Sequence, residues 1–382
     1  MHKILEWPLP VSSGVQYLTP EKGGKIYFTG WTPTIGELDV GKNTVKEWPV
    51  PWRPKPPALG YAEGITYDPN SIPWFALTEA GTPQAGMIVS LNPKTSLFTG
   101  YGAGGYPRHL MFDAQGNVWY TGYQGINNIN QCTAIVGTLN PQTLDQQYWL
   151  LPRPFIPCPE ALWVDSQRNV WMSIQGGTGM QDVAAFARLQ PSTDELTCWF
   201  IPAANPANFH GIVADEKGAT VWISYETFQN PDEMAVFKFD VLSNTCLGYP
   251  HKQPPVYARQ IFLDSRGTPW FADWFEKIST ISPVAKCEKE VKIVSKTLRV
   301  QQLKVKTKTH RREIGPPEVA IIKPREFKIP VVEGCYTENI LPPNYFNFAP
   351  NPVGAIAITP GKPDRIYYAV WAVQPRIGCL QP

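Results

Sequence analysis

The chain has 382 residues, 43% of them hydrophobic, which suits one large domain or two to three ordinary ones and excludes a globally disordered chain. A net charge of +2 provides no overall field for nucleic acid or an anionic membrane, and no apolar run approaches the roughly 20 residues needed to span a bilayer. The 40 prolines and 30 glycines break the chain at short intervals, and with 12% aromatics this favours many short strands over helices. The 7 cysteines include no CxxC pair, so neither a zinc site nor a disulfide framework is indicated. The N-terminus carries no basic segment followed by an apolar stretch, and a cytoplasmic protein is expected.

The first element, ILEWPLP, is a strand ending in a proline turn. Its relatives VKEWPVP, QQYWLLP and LTCWFIP recur downstream, each at the end of a repeating unit. The units themselves read AEGITYDPNSIPWFALTE, YPRHLMFDAQGNVWYTGY, CPEALWVDSQRNVWMSIQ, FHGIVADEKGATVWISYE and YARQIFLDSRGTPWFADW, with weaker copies at either end. Each is an apolar strand, a turn containing aspartate, and a strand built on an aromatic. The marker aromatics are Tyr27, Trp74, Trp119, Trp171, Trp222, Trp270 and Tyr367. Most lie about 45–52 residues apart, the length of a four-stranded propeller blade. Seven markers predict an all-β, seven-bladed propeller over residues 1–382 as one domain. The last repeat ends RIGCLQP and lacks a fourth strand, which ILEWPLP supplies by closing the ring.

The interval from Trp270 to Tyr367 is nearly double the others. It contains EVKIVSKTLRVQQLKVKTKTHRREIGPP, which is basic, alternates apolar with polar residues and lacks the Asp-turn-aromatic signature. The expectation is a basic β-hairpin over 285–325, inserted in blade six, whose fourth strand resumes near REFKIPVV. Its apolar residues are too many for a free ribbon, so the expectation is that they are covered by the protein's own propeller, by a second copy or by a protein partner docked on them.

The recurring pattern x-P-H-G-I … D-x-x-G-x-V-W-F … I-x-x-[IL]-x-P … E-W-x-[IL]-P resembles the streptogramin (virginiamycin B) lyase family of seven-bladed propellers. The resemblance covers nearly the whole chain apart from the basic insertion. It implies opening of a cyclic lactone by elimination, with histidines and glutamates of neighbouring blades and a magnesium ion (Mg2+). His210 matches the histidine of the family's E-P-H-G-I element, Asn208 stands in place of its glutamate, and Glu160 occupies the place of the preceding blade's histidine.

Aligned on Asp68, Asp113, Asp165, Asp215 and Asp264, the five clear repeats place Glu63, Arg108, Glu160, His210 and Arg259 at one equivalent inner-strand position, and the flanking repeats place Gly14 and Gly354 there. His109 is expected to point away, because strand side chains alternate. The ring reads either as a self-satisfied ion-pair network or as a site for a small-molecule ligand in the axial funnel. The catalytic candidates are His210 and Glu160. The ligand-binding candidates are Glu63, Arg108, Arg259, Asp273, Tyr225 and Glu226, with Trp31, Tyr123 and Trp274 adding to an aromatic rim. Metal ligands are not specified by the sequence. Two functions stay open: a carbon-oxygen lyase or lactone hydrolase, and a non-catalytic interaction scaffold with no specific nucleic acid partner.

Overall fold

The computed structural model describes residues 2–10, 14–30, 34–52, 61–78, 86–124, 133–153, 156–175, 183–202, 209–225, 234–250, 260–273, 277–281, 288–329, 331–332, 336–340, 353–361, 364–370 and 375–381. Their regular elements are all β-strands, arranged as seven sheets. The inner strands of successive blades are Val15–Leu18, Tyr61–Tyr67, Tyr106–Phe112, Cys158–Val164, Phe209–Ala214, Ile261–Leu263 and Val353–Thr359. Each touches the next, and the last touches the first, so the sheets form a closed ring around an axis. No described helix is long and apolar enough to cross a membrane.

The repeat signature has a local cause. In blade three the Asp113 carboxylate accepts the backbone N–H groups of Gln115 (3.0 Å) and Asn117 (2.9 Å), fixing the turn, and also the indole N–H of Trp119 (2.9 Å). Asp165 with Trp171 (3.1 Å) and Asp264 with Trp270 (3.2 Å) repeat this indole bond. One carboxylate therefore sets the turn and orients the largest core side chain of its blade. The hydrophobic clusters lie between blades: Trp119 and Trp149 of blade three pack with Val170, Met172 and Leu189 of blade four. Cys198 and Cys246 are buried in such clusters, and burial pushes their thiols up to about 12.

Ring closure follows the sequence expectation. His2–Pro8 pairs antiparallel with Arg376–Gln381, from Lys3 opposite Gln381 to Pro8 opposite Arg376. The tryptophan of the opening motif explains why that motif recurs. Trp7 is 1% exposed and its indole donates to Asn43 Oδ1 of blade one (2.9 Å). Trp48 reaches Ser96 Oγ (3.1 Å), Trp149 reaches Asp194 Oδ1 (2.8 Å) and Trp199 reaches Asn244 Oδ1 (3.1 Å). In each case the fourth strand of one blade is fastened to the turn between the third and fourth strands of the next.

The insertion is not the expected hairpin, and the blades have five strands rather than four. The segment 289–332 runs around the rim of the disc and adds one outermost strand to each blade in turn. Lys289–Val291 joins blade five, Val294–Arg299 blade four, Gln301–Lys306 blade three, Thr309–Glu313 blade two and Glu318–Ile321 blade one. Arg325–Ile329 then pairs with His2–Pro8 of blade seven, and Val331–Val332 returns to blade six. REFKIPVV thus supplies the outermost strands of blades seven and six, whereas the fourth strand of blade six is Tyr336–Ile340. The physical reason is that an alternating segment with its own partner strand and one beside open fourth-strand edges satisfy the same backbone groups, and here the blade edges take them.

Replacing Trp7 with alanine removes a buried indole, its bond to Asn43 and the anchor of the closing strand. The expected cost is about 3–5 kcal/mol, read as a lowered denaturant midpoint in equilibrium unfolding. An unchanged midpoint would show that closure does not depend on this residue.

Candidate functional site

Six of the seven inner strands carry a register shift against their second strand, between Val15 and Tyr17, Ala62 and Ile65, Pro107 and Leu110, Pro159 and Leu162, Phe209 and Ile212, and Val353 and Ala355. Such β-bulges re-aim side chains and interrupt alternation. Glu63, Arg108, Glu160 and His210 all fall within these shifts, so the position selected from the repeats is a structurally equivalent one. Blade one departs from the expectation: its shift contains Gln16 rather than Gly14. The Gln16 side chain is 6% exposed, and its oxygen has no hydrogen-bond partner among the described residues.

The bulges are tied to one another by hydroxyl groups of second strands. Ser173 Oγ accepts the N–H of Ala161 (3.1 Å) and donates to the carbonyl of His210 in the next blade. Ser224 Oγ accepts the N–H of Gly211 (2.7 Å), and Thr78 Oγ1 donates to the carbonyl of Pro107 (2.8 Å). Backbone groups released by the bulges are thereby satisfied. Gly64 is required by this packing, since a Cβ there would lie 2.8 Å from the Arg108 carbonyl oxygen and 2.9 Å from His109 Cα.

Arg108 organises the site. Its Nη1 lies 2.5 Å from Glu160 Oε2, with Nη2 3.4 Å from Oε1, a forked contact of guanidinium on carboxylate. Its Nε lies 4.0 Å from Glu63 Oε2, and Nη1 also lies 3.5 Å from the Cys158 sulfur. Burial opposes the charge on Arg108, but Glu160 and then Glu63 outweigh it and hold the group protonated well above the ordinary range. The Glu63–Arg108–Glu160 set therefore carries one positive and two negative charges. His210 is buried, with 1% of its surface exposed.

The donor set does not fit a magnesium ion. Both carboxylates face Arg108, which stands where a cation would have to sit, and among the described residues no group of three histidine, cysteine, aspartate or glutamate side chains could hold a metal.

Below the ring lies an axial cavity of about 850 Å³ lined by residues from all seven blades. It begins with the residues that follow the bulge positions: Gly64, His109, Ala161 and Gly211. His109 was expected to face away from the axis. The bulge reverses it: its Nε2 lies 3.3 Å from the Tyr17 hydroxyl, and the two rings meet edge-on at 5.0 Å. Tyr17 belongs to blade one and His109 to blade three, so this contact reaches past blade two, where Gly64 bears no side chain. Neither residue was legible as part of the site, because strict alternation fails at a bulge.

The other candidates are placed as follows. Tyr225 is 4% exposed and packs against Phe209 (4.9 Å) and Phe237 (5.7 Å), so it serves the blade core instead of a ligand rim. Tyr123 stacks on Tyr106 at 5.5 Å. Asp273 ends a strand opposite Lys277, its side chain lying outside the description. Arg259, Glu226, Asn208, Trp31 and Trp274 lie outside the described residues.

This geometry defines a seven-bladed propeller with a polar ring at one end of its axial channel. No protein-family model and no curated protein matches the sequence. Among solved structures, the fold is similar to virginiamycin B lyase from Staphylococcus aureus, solved as a catalytically inactive histidine-to-alanine variant with quinupristin. The TM-score is 0.64 at 15% identity, over 99% of each chain. The WD40 propeller of Doa1 matches with a TM-score of 0.48 at 10% identity, over 97% of this chain and 95% of that one. The WD40 domain of Neurospora crassa Pan2 matches with a TM-score of 0.47 at 10% identity, over 98% and 91%.

Arg108→Ala removes the cation nearest the buried Glu160, and a destabilisation of about 3–5 kcal/mol is expected from chemical denaturation. Adding Glu160→Gln should recover a large part of that loss. Equal destabilisation of the single and double variants would show that the two residues do not act as a pair.

Proposed function

We propose that this protein acts on a small molecule held in its axial channel, in the manner of a streptogramin lyase, with a lactone or related ester as substrate class. The observation that carries the reading is the Glu63–Arg108–Glu160 set, held with His210 in equivalent bulges of neighbouring inner strands, whose following residues Gly64, His109, Ala161 and Gly211 line a cavity of about 850 Å³. The full-length similarity in fold to virginiamycin B lyase supports it.

In this reading His210 takes a proton from the carbon next to the one bearing the ester oxygen. The C–H electrons form a double bond, the C–O bond breaks, and the ester oxygen leaves as part of a carboxylate. Arg108, already oriented by Glu160 and Glu63, stabilises that developing negative charge. Glu160 is then a positioning residue rather than a catalytic one, because its carboxylate is engaged by Arg108.

A second reading, a protein-interaction scaffold, is favoured by a separate observation. Of the five large hydrophobic residues exposed among the described ones, four lie on the rim segment: Val294, Val305, Val319 and Ile321. A partner covering the rim through these side chains replaces the hairpin contact expected from sequence.

Incubation with quinupristin, followed by chromatography and mass spectrometry, tests the enzymatic reading. Elimination gives a ring-opened product of unchanged mass, whereas hydrolysis adds one water. Conversion by the intact protein is expected, with His210→Ala slower by about 100-fold or more and its fold retained. Absence of both binding and conversion would overturn the proposal for this substrate class.

A further inference from the structure

The rim segment has a repeat of its own, in step with the blades. Between its strands, connections of one to four residues cross from one blade to the next. Val300 opens the connection from blade four to three, Thr307 that from three to two, Ile314 that from two to one and Ile322 that from one to seven. The first three are seven residues apart and the fourth follows after eight. Seven extended residues span about 23 Å of chain, so the spacing sets the distance between neighbouring fourth strands along the rim.

Each crossing residue also makes the same bond. The N–H of Val300 donates to the Asp194 carbonyl (3.0 Å), that of Thr307 to Leu144 (3.1 Å), that of Ile314 to Ser96 (3.3 Å) and that of Ile322 to Asn43 (2.9 Å). These four acceptors are left-handed turn residues, with φ of 54°, 61°, 55° and 53°. Three of them, Asp194, Ser96 and Asn43, accept the indole of the preceding blade's tryptophan through their side chains. Val300, Ile314 and Ile322 pack against the hydrophobic clusters between the blades they join. A junction is thus held by a tryptophan from the blade before it and by the strap from outside.

The strap is fastened to blade six at both ends. It follows the strand Lys277–Ile281, and it returns through Val331–Val332 into the pairing with Tyr336–Ile340. A strand bound at a free end can peel away residue by residue, whereas one anchored at both ends has to be released along its length. We infer that residues 289–332 form a hoop whose repeat is matched to a seven-bladed ring, that it seats after the blades have assembled, and that it governs the rate at which the ring opens. Because its partners are the fourth strands of all seven blades, its full pairing requires the closed disc.

The test cuts the hoop without removing any of it. A protease site is placed within the exposed connection at Gly315–Pro316, and the same protein is compared before and after cleavage. The cut protein is expected to remain a single folded species by gel filtration and circular dichroism, with its two strap ends now free. It should unfold in denaturant at least about tenfold faster than the uncut protein. Equal unfolding rates would overturn the inference. If the insertion prevents folding, the Val300→Ala/Ile322→Ala double variant gives the answer by kinetics. Late seating predicts faster unfolding with refolding changed less than about twofold. Slowed refolding with unaltered unfolding would mean that the strap forms early and is no lock.

Discussion

The structure depends on how each blade is held to the next at the turn between its third and fourth strands. At Asn43, Ser96 and Asp194 the backbone takes a left-handed conformation, unusual for residues other than glycine. The side chain accepts an indole from the preceding blade, and the carbonyl accepts an N–H from the rim strap. A polar residue at this corner therefore joins three parts of the chain that are remote in sequence. The hydrophobic clusters between blades supply most of the buried area, but they are non-directional, whereas these bonds specify the register of neighbouring blades.

With the rim enclosed by the strap and the blades closed by His2–Pro8, the bulged inner strands form the lining of the axis. The bulges have two effects there. They place Glu63, Arg108, Glu160 and His210 at equivalent positions, with Arg108 between Glu63 and Glu160, and they bring His109 to Tyr17 beside the cavity. The serine and threonine hydroxyls behind the bulges keep their backbone groups satisfied, so the ring is rigidly supported. Arg108 is the electrostatic centre because it is the cation among two carboxylates. Its pairing with Glu160 separates this site from one built to hold a divalent ion.

The sequence made the propeller, the blade number and the closing strand legible because each repeats or completes a periodic signal. Asp113 and Trp119, or Asp165 and Trp171, are visible as pairs since one hydrogen bond requires both at fixed spacing. The equivalence of Glu63, Arg108, Glu160 and His210 was legible for the same reason. What was not legible depended on geometry outside the repeat. His109 was assigned the wrong direction because a bulge looks no different from a regular strand in a linear pattern. Tyr225 looked like a rim residue but is enclosed by Phe209 and Phe237. The strap reads as a hairpin in sequence because alternation identifies a strand without identifying its partner, and its spacing of seven to eight residues is hidden among varied residues at Val300, Thr307, Ile314 and Ile322.

Hydrogen exchange of the intact protein, followed by mass spectrometry, tests most directly whether the strap and the junctions act as one closure. Backbone N–H groups from Lys289 to Val332 pair with seven different blades, so independent fraying would give each segment its own exchange rate. The hoop predicts that these segments lose protection together, in one cooperative opening, while the pairing of His2–Pro8 with Arg376–Gln381 stays protected longer. Seven unrelated rates along the strap, or loss of the His2–Pro8 pairing before the strap opens, would contradict the account.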